Sequence, residues 1–268
     1  MDLGRWVTAA EVLCREAGEL LLEKAAGLAE IATEFKGRCE LVTAADRAAE
    51  ELVVRGLLEQ FPDHGVLAEE GVLTPKGQVD KEGAEFVAIL DPIDGTTNFV
   101  HGLPNYCVAL GLRQGSEMVA GVVHAPALQR TYTAWAGGGA SCDGKSIRVT
   151  ETATVRDSLV ATGFSYDRNE PGHDDNLGKI AAVLPECRDL RRFGSAELDL
   201  CQVAAGHYDG YWEMYLMPYD VAAGAVIVRE AGGRVTDLSG GDDWLFGRQV
   251  LATNGRIHDD MLGLLASG

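Results

Sequence analysis

The chain has 268 residues, of which 46% are hydrophobic, so it can bury a large core in one or two domains. Its 41 acidic and 23 basic residues give a formal net charge of -18, and such a surface repels nucleic acid and anionic membranes. The low aromatic content of 7% and the 33 glycines favour a turn-rich α/β protein over a helical bundle.

The cysteines and the N-terminus predict a cytoplasmic protein. The cysteines show no C-x-x-C spacing, which predicts free thiols in a reducing compartment and argues against a zinc site. They are Cys14, Cys39, Cys107, Cys142, Cys187 and Cys201. Charged residues interrupt the N-terminal segment, so it is not typical of a signal peptide. No stretch approaches the length and apolarity of a membrane span.

Two helices are predicted at the N-terminal end. Apolar residues recur with helical period from about Arg5 to Glu34, and this helix is expected to close near Gly27 or shortly after. A second periodic segment opens at Thr43, a plausible N-cap, which would place Asp46 in the first turn. This helix is expected to end at Phe61-Pro62-Asp63.

Two apolar runs that follow the helices each end in acidic residues. Val66-Leu67-Ala68 predicts a short strand and is followed at once by Glu69-Glu70. Residues 71–83 are polar and contain glycine and proline, which predicts a loop or flap. Phe86-Val87-Ala88-Ile89-Leu90 then predicts a buried strand, and two aspartates follow it.

The rest of the chain alternates strands and helices. Strands are predicted at 107–112, 118–124, 131–135 and 159–163, and helices at 176–184, 195–205 and 220–231. Cys142-Asp143-Gly144-Lys145 predicts a hairpin turn. We expect residues 1–268 to form one domain, with a subdomain boundary at Glu151–Asp157 that separates 1–152 from 153–268.

The most informative segment is Asp91-Pro92-Ile93-Asp94-Gly95-Thr96-Thr97-Asn98-Phe99, at the end of the strand predicted at 86–90. Pro92 fixes a backbone angle between the two carboxylates and has no N–H to donate. Gly95 lets the backbone approach a ligand closely. Carboxylates, a glycine and hydroxyls at a strand end suit a divalent cation held beside a phosphate.

Three acidic groups stand at the ends of predicted elements: Glu69-Glu70, Asp91 with Asp94, and Asp220. Two Mg²⁺ ions about 3.5–4 Å apart can share one carboxylate and clamp both oxygens of a phosphoryl transfer. Each group also has an ordinary explanation, since aspartates form turns, a glutamate pair can be a solvated loop end and Asp220 can be a helix N-cap. Spacing alone does not show that the three groups meet.

Other anion and metal motifs fit the sequence poorly. The triple glycine at 137–139 lacks the Lys-Ser/Thr ending of a P-loop and fits a hairpin better. An aspartate nucleophile in an Asp-x-Asp arrangement fails because two residues separate Asp91 from Asp94. An EF-hand loop fails because oxygen ligands are missing at the third and fifth positions counted from Asp91.

Five motifs in order along nearly the whole chain resemble the inositol monophosphatase family. Besides the segment at 91–99 they are Leu41-Val42-Thr43-Ala44-Ala45-Asp46, the pair Glu69-Glu70, Gly194-Ser195-Ala196, and Pro218–Gly224 with Glu230–Gly233. The resemblance implies a layered αβαβα sandwich of the α/β (α+β) class, and a homodimer. It also implies an Mg²⁺-dependent, lithium-sensitive phosphomonoesterase that uses two or three ions.

The resemblance assigns roles to individual residues. Glu69, Asp91 and the Ile93 carbonyl would hold the first Mg²⁺, and Asp91, Asp94 and Asp220 the second. Asp46 and Thr96 would orient the attacking water and help to deprotonate it, and Glu70 would support them from behind the metal ligands. The phosphate would meet the amides of Gly95 and Thr96. The alcohol portion would meet Ala196, Glu213 and Asp220, with Lys36 lying near the site.

Two positions depart from the family pattern. Tyr219-Asp220 replaces the usual Trp-Asp, which keeps the carboxylate but alters the pocket wall. Glu197 stands where relatives carry a small or apolar residue, and it would either reshape the substrate rim or lie on a solvated helix face. The alcohol is therefore the least determined part of the prediction.

The expected reaction is hydrolysis of a small polyol phosphate by metal-activated water. Glu213 favours myo-inositol monophosphate, with fructose 1,6-bisphosphate second and histidinol phosphate, NADP or adenosine 3′,5′-bisphosphate as further family substrates. The partner is then a small phosphate ester, with no nucleic acid and no membrane. The non-enzymatic alternative is a metal-dependent sugar-phosphate sensor, which would bind the ester without releasing phosphate.

Overall fold

Two β-sheets separate three layers of helices, so the chain folds as the predicted αβαβα sandwich. The computed structural model describes residues 1–30, 35–72, 78–79, 83–165 and 171–268, with side chains for all of these except 27–30, 35–43 and 78–79. The predicted division into subdomains at Glu151–Asp157 stays a prediction.

The first layer contains two long helices, α1 (Leu3–Glu30) and α2 (Phe35–Gln60). α1 buries Trp6, Ala10 and other apolar residues at helical spacing against the larger sheet. The end of α1 agrees with the prediction, but the N-cap predicted at Thr43 is wrong. Helix α2 begins eight residues earlier, at Phe35, so Asp46 lies in its interior rather than in its first turn.

The larger sheet has eight strands in the order β2-β1-β3-β4-β5-β6-β7-β8. They are β1 (Gly65–Ala68), β2 (Gln78–Val79), β3 (Phe86–Asp94), β4 (Cys107–Gln114), β5 (Glu117–Ala125), β6 (Arg130–Trp135), β7 (Gly139–Cys142) and β8 (Lys145–Ser146). The predicted hairpin turn joins β7 to β8, with positive φ at Asp143 and Gly144. β2 falls within the predicted loop at 71–83, of which residues 73–77 and 80–82 lie outside the described residues.

The smaller sheet has five strands in the order β10-β9-β11-β13-β12. They are β9 (Leu159–Thr162), β10 (Asp189–Arg191), β11 (Gly210–Met214), β12 (Arg234–Thr236) and β13 (Gln249–Thr253). Only β9 was predicted. The other four are short, and their apolar runs are too brief for a clear period-2 pattern.

The remaining helices cover the faces of the sheets. Between the sheets lie α5 (Ala196–Ala204) and α6 (Ala222–Glu230), which pack in the main hydrophobic core. On the outer face of the smaller sheet lie α4 (Leu177–Val183) and α7 (His258–Ser267), around buried Trp212 and Leu251. The short helix α3 (Thr96–Val100) follows β3 directly.

Two expectations from composition can be compared with the described part of the chain. No described helix is long and apolar enough to cross a membrane. The cysteines with described side chains are free thiols, namely Cys14, Cys107, Cys142, Cys187 and Cys201. The side chain of Cys39 lies outside the described residues.

Candidate active site

A cavity of about 400 Å³ opens where β1, β3, α3, α5, β11 and the start of α6 come together. Its lining includes carboxylates from four distant parts of the chain: Glu69, the pair Asp91 and Asp94, Glu213, and Asp220. The acidic groups that could not be connected by spacing alone therefore share one cavity.

The pairing of β1 with β3 explains how two of these carboxylates meet. The strands are parallel, with Ala68 opposite Leu90. The next residues along the two strands are Glu69 and Asp91, so both emerge at the same edge of the sheet. Their carboxyl groups share a hydrogen bond.

An irregularity in β3 explains why Asp91 and Asp94 both reach the cavity. Side chains three positions apart on a regular strand point to opposite faces. Opposite β4, Asp91 pairs with Ala109 and Asp94 with Cys107, so β3 contains one extra residue there. Such a bulge restores the same face to both aspartates, and Pro92 is tolerated because it has no N–H to contribute to the ladder.

The Asp94 carboxylate lies over the N-terminus of α5. It accepts hydrogen bonds from the Ser195 hydroxyl at 2.5 Å and from the amides of Ala196 and Glu197 at 3.2 and 2.8 Å. Burial raises the pKa of Asp94, and these donors oppose the shift. Ser195 also caps α5 through the Leu198 amide.

The Asp91 and Asp220 carboxylates have fewer donors. Asp91 Oδ1 accepts from the Ile93 amide at 2.9 Å, and Asp220 Oδ2 accepts from the Met217 amide at 2.6 Å. Asp220 ends a 3-10 turn, Pro218–Asp220, and the cap of α6 is Val221. The alternative that Asp220 is simply the N-cap of the following helix is therefore wrong.

Mutual repulsion adds to burial in setting the charge state of this cavity. Burial, together with the charges of Asp94 and Glu69, raises the pKa of Asp220 to about 8. Glu69 is exposed as a residue, yet partial burial of its carboxyl raises its pKa to about 7, against the lowering effect of the hydrogen bond with Asp91. Burial and then Glu69, Asp94 and Asp220 raise the pKa of Asp91 well above its usual range.

Asp46 lies behind Glu69 and Glu70 on α2. It is buried, and among the described residues its Oδ1 has no hydrogen-bond partner. Burial raises its pKa to about 8, followed by the charges of Glu69, Glu70 and Glu50. A buried carboxylate oxygen without a donor is costly unless something else binds it.

Glu50 is a residue that the sequence analysis missed. It is fully buried one helical turn after Asp46 and accepts hydrogen bonds from the amides of Glu70 and Val72 at 2.8 and 2.5 Å. It therefore fastens the segment after β1 to α2. The signal that could have found it is the i, i+4 spacing of Asp46 and Glu50 on one helix face.

Gly95 is the N-cap of α3, and Thr96 is its first residue. Gly95 has φ of 92°, and a Cβ there would lie 2.7 Å from the Asn105 carbonyl oxygen, so only glycine fits. The Thr96 hydroxyl donates to the Ile93 carbonyl at 3.0 Å. Ile93 itself is buried, and its carbonyl faces the start of α3.

The residues expected to meet the alcohol also line the cavity. Glu213, on β11, accepts a hydrogen bond from the Tyr211 hydroxyl at 2.5 Å, and burial raises its pKa to about 7. Ala196 lies in the cavity lining at the first turn of α5. The side chain of Lys36 lies outside the described residues.

Glu197 has neither of the two positions expected for it. It is fully buried, and its carboxylate accepts from the amides of Ala223 at 3.0 Å and Gly224 at 2.5 Å, at the N-terminus of α6. It therefore links α5 to α6 beneath the cavity instead of lying on a solvated face or at the substrate rim. Gly224 is needed here, because a Cβ would lie 2.6 Å from the Glu197 carboxylate.

The donor set fits a hard divalent cation. Carboxylate and carbonyl oxygens are the ligands that Mg²⁺ prefers, and a cation would relieve the repulsion that raises these pKa values. Among the described residues, no three His, Cys, Asp or Glu side chains already stand in a coordination arrangement. Asp94 and Asp220 are hydrogen-bonded to backbone amides, which hold their carboxylates at the cavity.

Comparisons with known proteins agree with this geometry. The family model described as "Inositol monophosphatase family" matches residues 2–267. An inositol-1-monophosphatase of Mesorhizobium japonicum is 38% identical over 248 residues, which cover 92% of this chain and 91% of that protein. The protein named Nus factor SuhB of Pseudomonas aeruginosa is 36% identical over 249 residues, with coverage of 92% and 91%.

A solved structure shows the same fold. The inositol monophosphatase from Anabaena (Nostoc) sp. superposes with a TM-score of 0.89 at 34% identity, covering 99% of this chain and 97% of that one. The match includes both sheets and all three helical layers of the described chain.

Proposed function

The chain belongs to the inositol monophosphatase family, and we propose that it is a divalent-cation-dependent phosphomonoesterase acting on a small polyol phosphate. The observation that carries the proposal is the meeting of Glu69, Asp91, Asp94 and Asp220 in one cavity with the Gly95-Thr96 turn. Carboxylates this close repel one another, and a bound cation would offset that repulsion.

The proposed metal ligands fall into two sets that share Asp91. Glu69, Asp91 and the Ile93 carbonyl would hold one Mg²⁺, and Asp91, Asp94 and Asp220 a second, with a weaker third ion near Glu69. When bound, these ions neutralise the phosphate and lower the pKa of water. Asp91 would belong to both sets, because the carboxylates near it in the cavity include members of each set.

The remaining residues would orient the reactants. The orphaned Oδ1 of Asp46 would accept a proton from water, and Glu70 would act from behind the ligands, its backbone held by Glu50. The Thr96 hydroxyl, now bonded to the Ile93 carbonyl, would align the water. The amides of Gly95 and Thr96 at the start of α3 would bind the phosphate.

Glu213 and the Ala196 backbone would bind hydroxyls of the alcohol, together with Asp220. Inositol 1-phosphate and a sugar bisphosphate both fit a polyol-binding wall of this kind. A homodimer, a cytoplasmic location and lithium sensitivity stay predictions.

The second candidate is a role without catalysis. One relative that is 36% identical is named a Nus factor, and the sequence also allows a sugar-phosphate sensor. Either role would leave the cavity able to bind an ester without hydrolysing it.

Phosphate release separates these candidates. We would measure inorganic phosphate released from inositol 1-phosphate, fructose 1,6-bisphosphate, histidinol phosphate, NADP and adenosine 3′,5′-bisphosphate, with saturating Mg²⁺ and with a chelator. The proposal expects at least one ester to be hydrolysed only with Mg²⁺. Binding of these esters with no release of phosphate would contradict it and support a sensor.

A further inference from the structure

Two guanidinium groups line the acidic cavity, and the proposed reaction does not use them. Arg192 and Arg248 are both exposed and both contribute to the cavity lining. Within the described residues, neither has a carboxylate oxygen within 4.0 Å. In a chain with 41 acidic and 23 basic residues, two such cations in one cavity are unusual.

Arg248 is held in place by Tyr215, across the ends of β13 and β11. Its guanidinium lies 6.0 Å from the centre of the Tyr215 ring, and its Nη2 donates to the Tyr215 carbonyl at 3.2 Å. The Leu216 amide donates in return to the Arg248 carbonyl at 3.2 Å. These contacts use one of the five N–H donors of the guanidinium and leave the others for a ligand.

The backbone beneath this pair is strained. Tyr215 has φ of 63° and Arg248 has φ of 62°, in the left-handed region that residues other than glycine rarely adopt. The Tyr215 ring is also stacked on His173 at 4.5 Å, and its hydroxyl accepts from the Asp174 amide at 2.7 Å. Strain of this kind persists where the surroundings fix it, and it clusters at ligand sites.

Arg192 has a similar arrangement in the same cavity lining. Its guanidinium lies 5.9 Å from the centre of the Phe164 ring, which also lines the cavity. It folds over Gly194, whose carbonyl is next to Gly95. The charges of Glu213 and Asp199 are close enough to interact with it, so Arg192 also faces the alcohol wall.

We propose that the substrate's alcohol portion carries a second anionic group, a phosphate or a carboxylate, and that Arg192 and Arg248 bind it. The inference rests on the proposed phosphomonoesterase activity and narrows its substrate class. A planar guanidinium held on an aromatic ring presents its donors in a fork that matches these anions. The proposal ranks such esters ahead of inositol monophosphate, which the sequence analysis placed first.

Two matched pairs of substrates test the proposal and distinguish the two anions. Glycerol 1-phosphate and 3-phosphoglycerate differ by a carboxylate, and fructose 1-phosphate and fructose 1,6-bisphosphate differ by a phosphate. We expect kcat/KM to favour the anionic member of at least one pair by about tenfold or more, as for a charge-assisted contact. The pair that shows the preference identifies the anion.

Variants show whether the two arginines cause the preference. In Arg248→Gln and in Arg192→Gln, the ratio of kcat/KM within the preferred pair should fall at least about fivefold, chiefly through KM. Arg188→Gln removes the same charge from a side chain that is 67% exposed and does not line the cavity, and it should keep the ratio.

Three results would overturn the proposal. In the first, the wild-type protein shows no preference in either pair. In the second, Arg248→Gln and Arg192→Gln keep the wild-type ratio, as they would if the arginines only support Tyr215 and offset buried carboxyls. In the third, only one of the two variants loses the preference, which would contradict a two-arginine site.

Calorimetry with a product separates this proposal from the proposed function. Fructose 6-phosphate or glycerate should bind the wild-type protein more tightly than its uncharged counterpart, fructose or glycerol, and each of the two arginine variants should weaken that binding at least about fivefold. Arginine-dependent binding without hydrolysis of any ester would reject the enzyme and keep the anion site. Hydrolysis without arginine-dependent binding would reject the anion site alone.

Discussion

Two buried polar regions of this molecule differ in whether their polar atoms have partners. The carboxylate cavity gathers groups of like charge around Asp91. The other region, called here the β13 network, lies at the far end of the smaller sheet and contains Thr150, Asp209, Thr236, Thr253, Asn254 and His258. Both regions bury charged or polar side chains in the same fold.

In the β13 network each hydrogen-bond donor meets an acceptor. Asp209 accepts from the Thr150 hydroxyl at 2.5 Å and from the Leu159 amide at 2.7 Å. The Thr236 hydroxyl donates to the Asp237 carbonyl, so it must accept from Nε2–H of His258. Thr253 then donates to Nδ1, which fixes a neutral imidazole in one tautomer.

In and beside the cavity, carboxyl groups of like charge lie close together and one of their oxygens has no partner among the described residues. Asp46 Oδ1 has no partner among the described residues, and burial together with neighbouring carboxyls raises the pKa values of Asp46, Asp91 and Asp220. Satisfied polar groups stabilise a fold, and unsatisfied ones mark a binding site. The comparison therefore assigns a structural role to the β13 network and supports a binding role for the cavity.

The largest expected effect is on activity, in the cavity. Asp91→Asn removes a charge shared by both proposed metal sets, and phosphate release should fall by about 10²- to 10³-fold or more. The asparagine oxygen can still accept from the Ile93 amide, and one buried repulsion disappears. The melting temperature without metal should therefore stay the same or rise.

Asp157→Asn is the matched control, because this side chain is 65% exposed and lies outside the cavity. It should keep both activity and melting temperature. If the metal-free Asp91→Asn protein unfolded more easily than metal-free wild type, the contrast between the cavity and the β13 network would be contradicted.

The next effect is on stability, in the β13 network. Asp209→Ala leaves the Leu159 amide and the Thr150 hydroxyl without their acceptor, which should lower the free energy of unfolding by about 3 kcal/mol. Activity per folded molecule should stay within about twofold of wild type. Urea unfolding together with an assay below the transition measures both. A loss of activity without a loss of stability would contradict a structural role for Asp209.

The smallest effect is a pH dependence that His258 confers on stability. Burial lowers the pKa of His258 from 6.5 to about 4 in the folded protein. The unfolded chain takes up this proton near pH 6.5 and the folded protein does not, so the free energy of unfolding falls as the pH drops from about 6.5 to about 4. The melting temperature of wild type should therefore fall more steeply over this interval than that of His258→Gln. Parallel curves would contradict a neutral His258.

The cavity was largely predictable because its residues belong to continuous motifs. Asp91 to Thr96 follows an apolar strand, and Glu69 follows another, so parallel pairing was enough to bring them together. The layered fold was predicted from the resemblance of these motifs to the inositol monophosphatase family. The bulge that turns Asp91 and Asp94 to one face was not predicted, since Pro92 was interpreted only as fixing a backbone angle and lacking an N–H donor.

Other contacts depend on pairings that no local pattern contains. In the sequence, Glu197 resembles an ordinary polar residue of an amphipathic helix. In the structure it caps α6 by accepting from the amide of Ala223, which is 26 positions further along the chain. Arg248 reaches Tyr215 across 33 positions, at the ends of two strands that were not predicted. The structure adds these tertiary partners, and they define the rim and the support of the site.

Asp220 is proposed to join Asp91 and Asp94 in holding divalent cations, and calorimetry of metal binding would show whether it does. Titration of metal-free protein with Mg²⁺ or Mn²⁺ should show at least two bound ions in wild type and in Asp157→Asn. Asp220→Asn should lose one of them or bind it at least about tenfold more weakly. Equal stoichiometry and affinity in Asp220→Asn and wild type would contradict the claim.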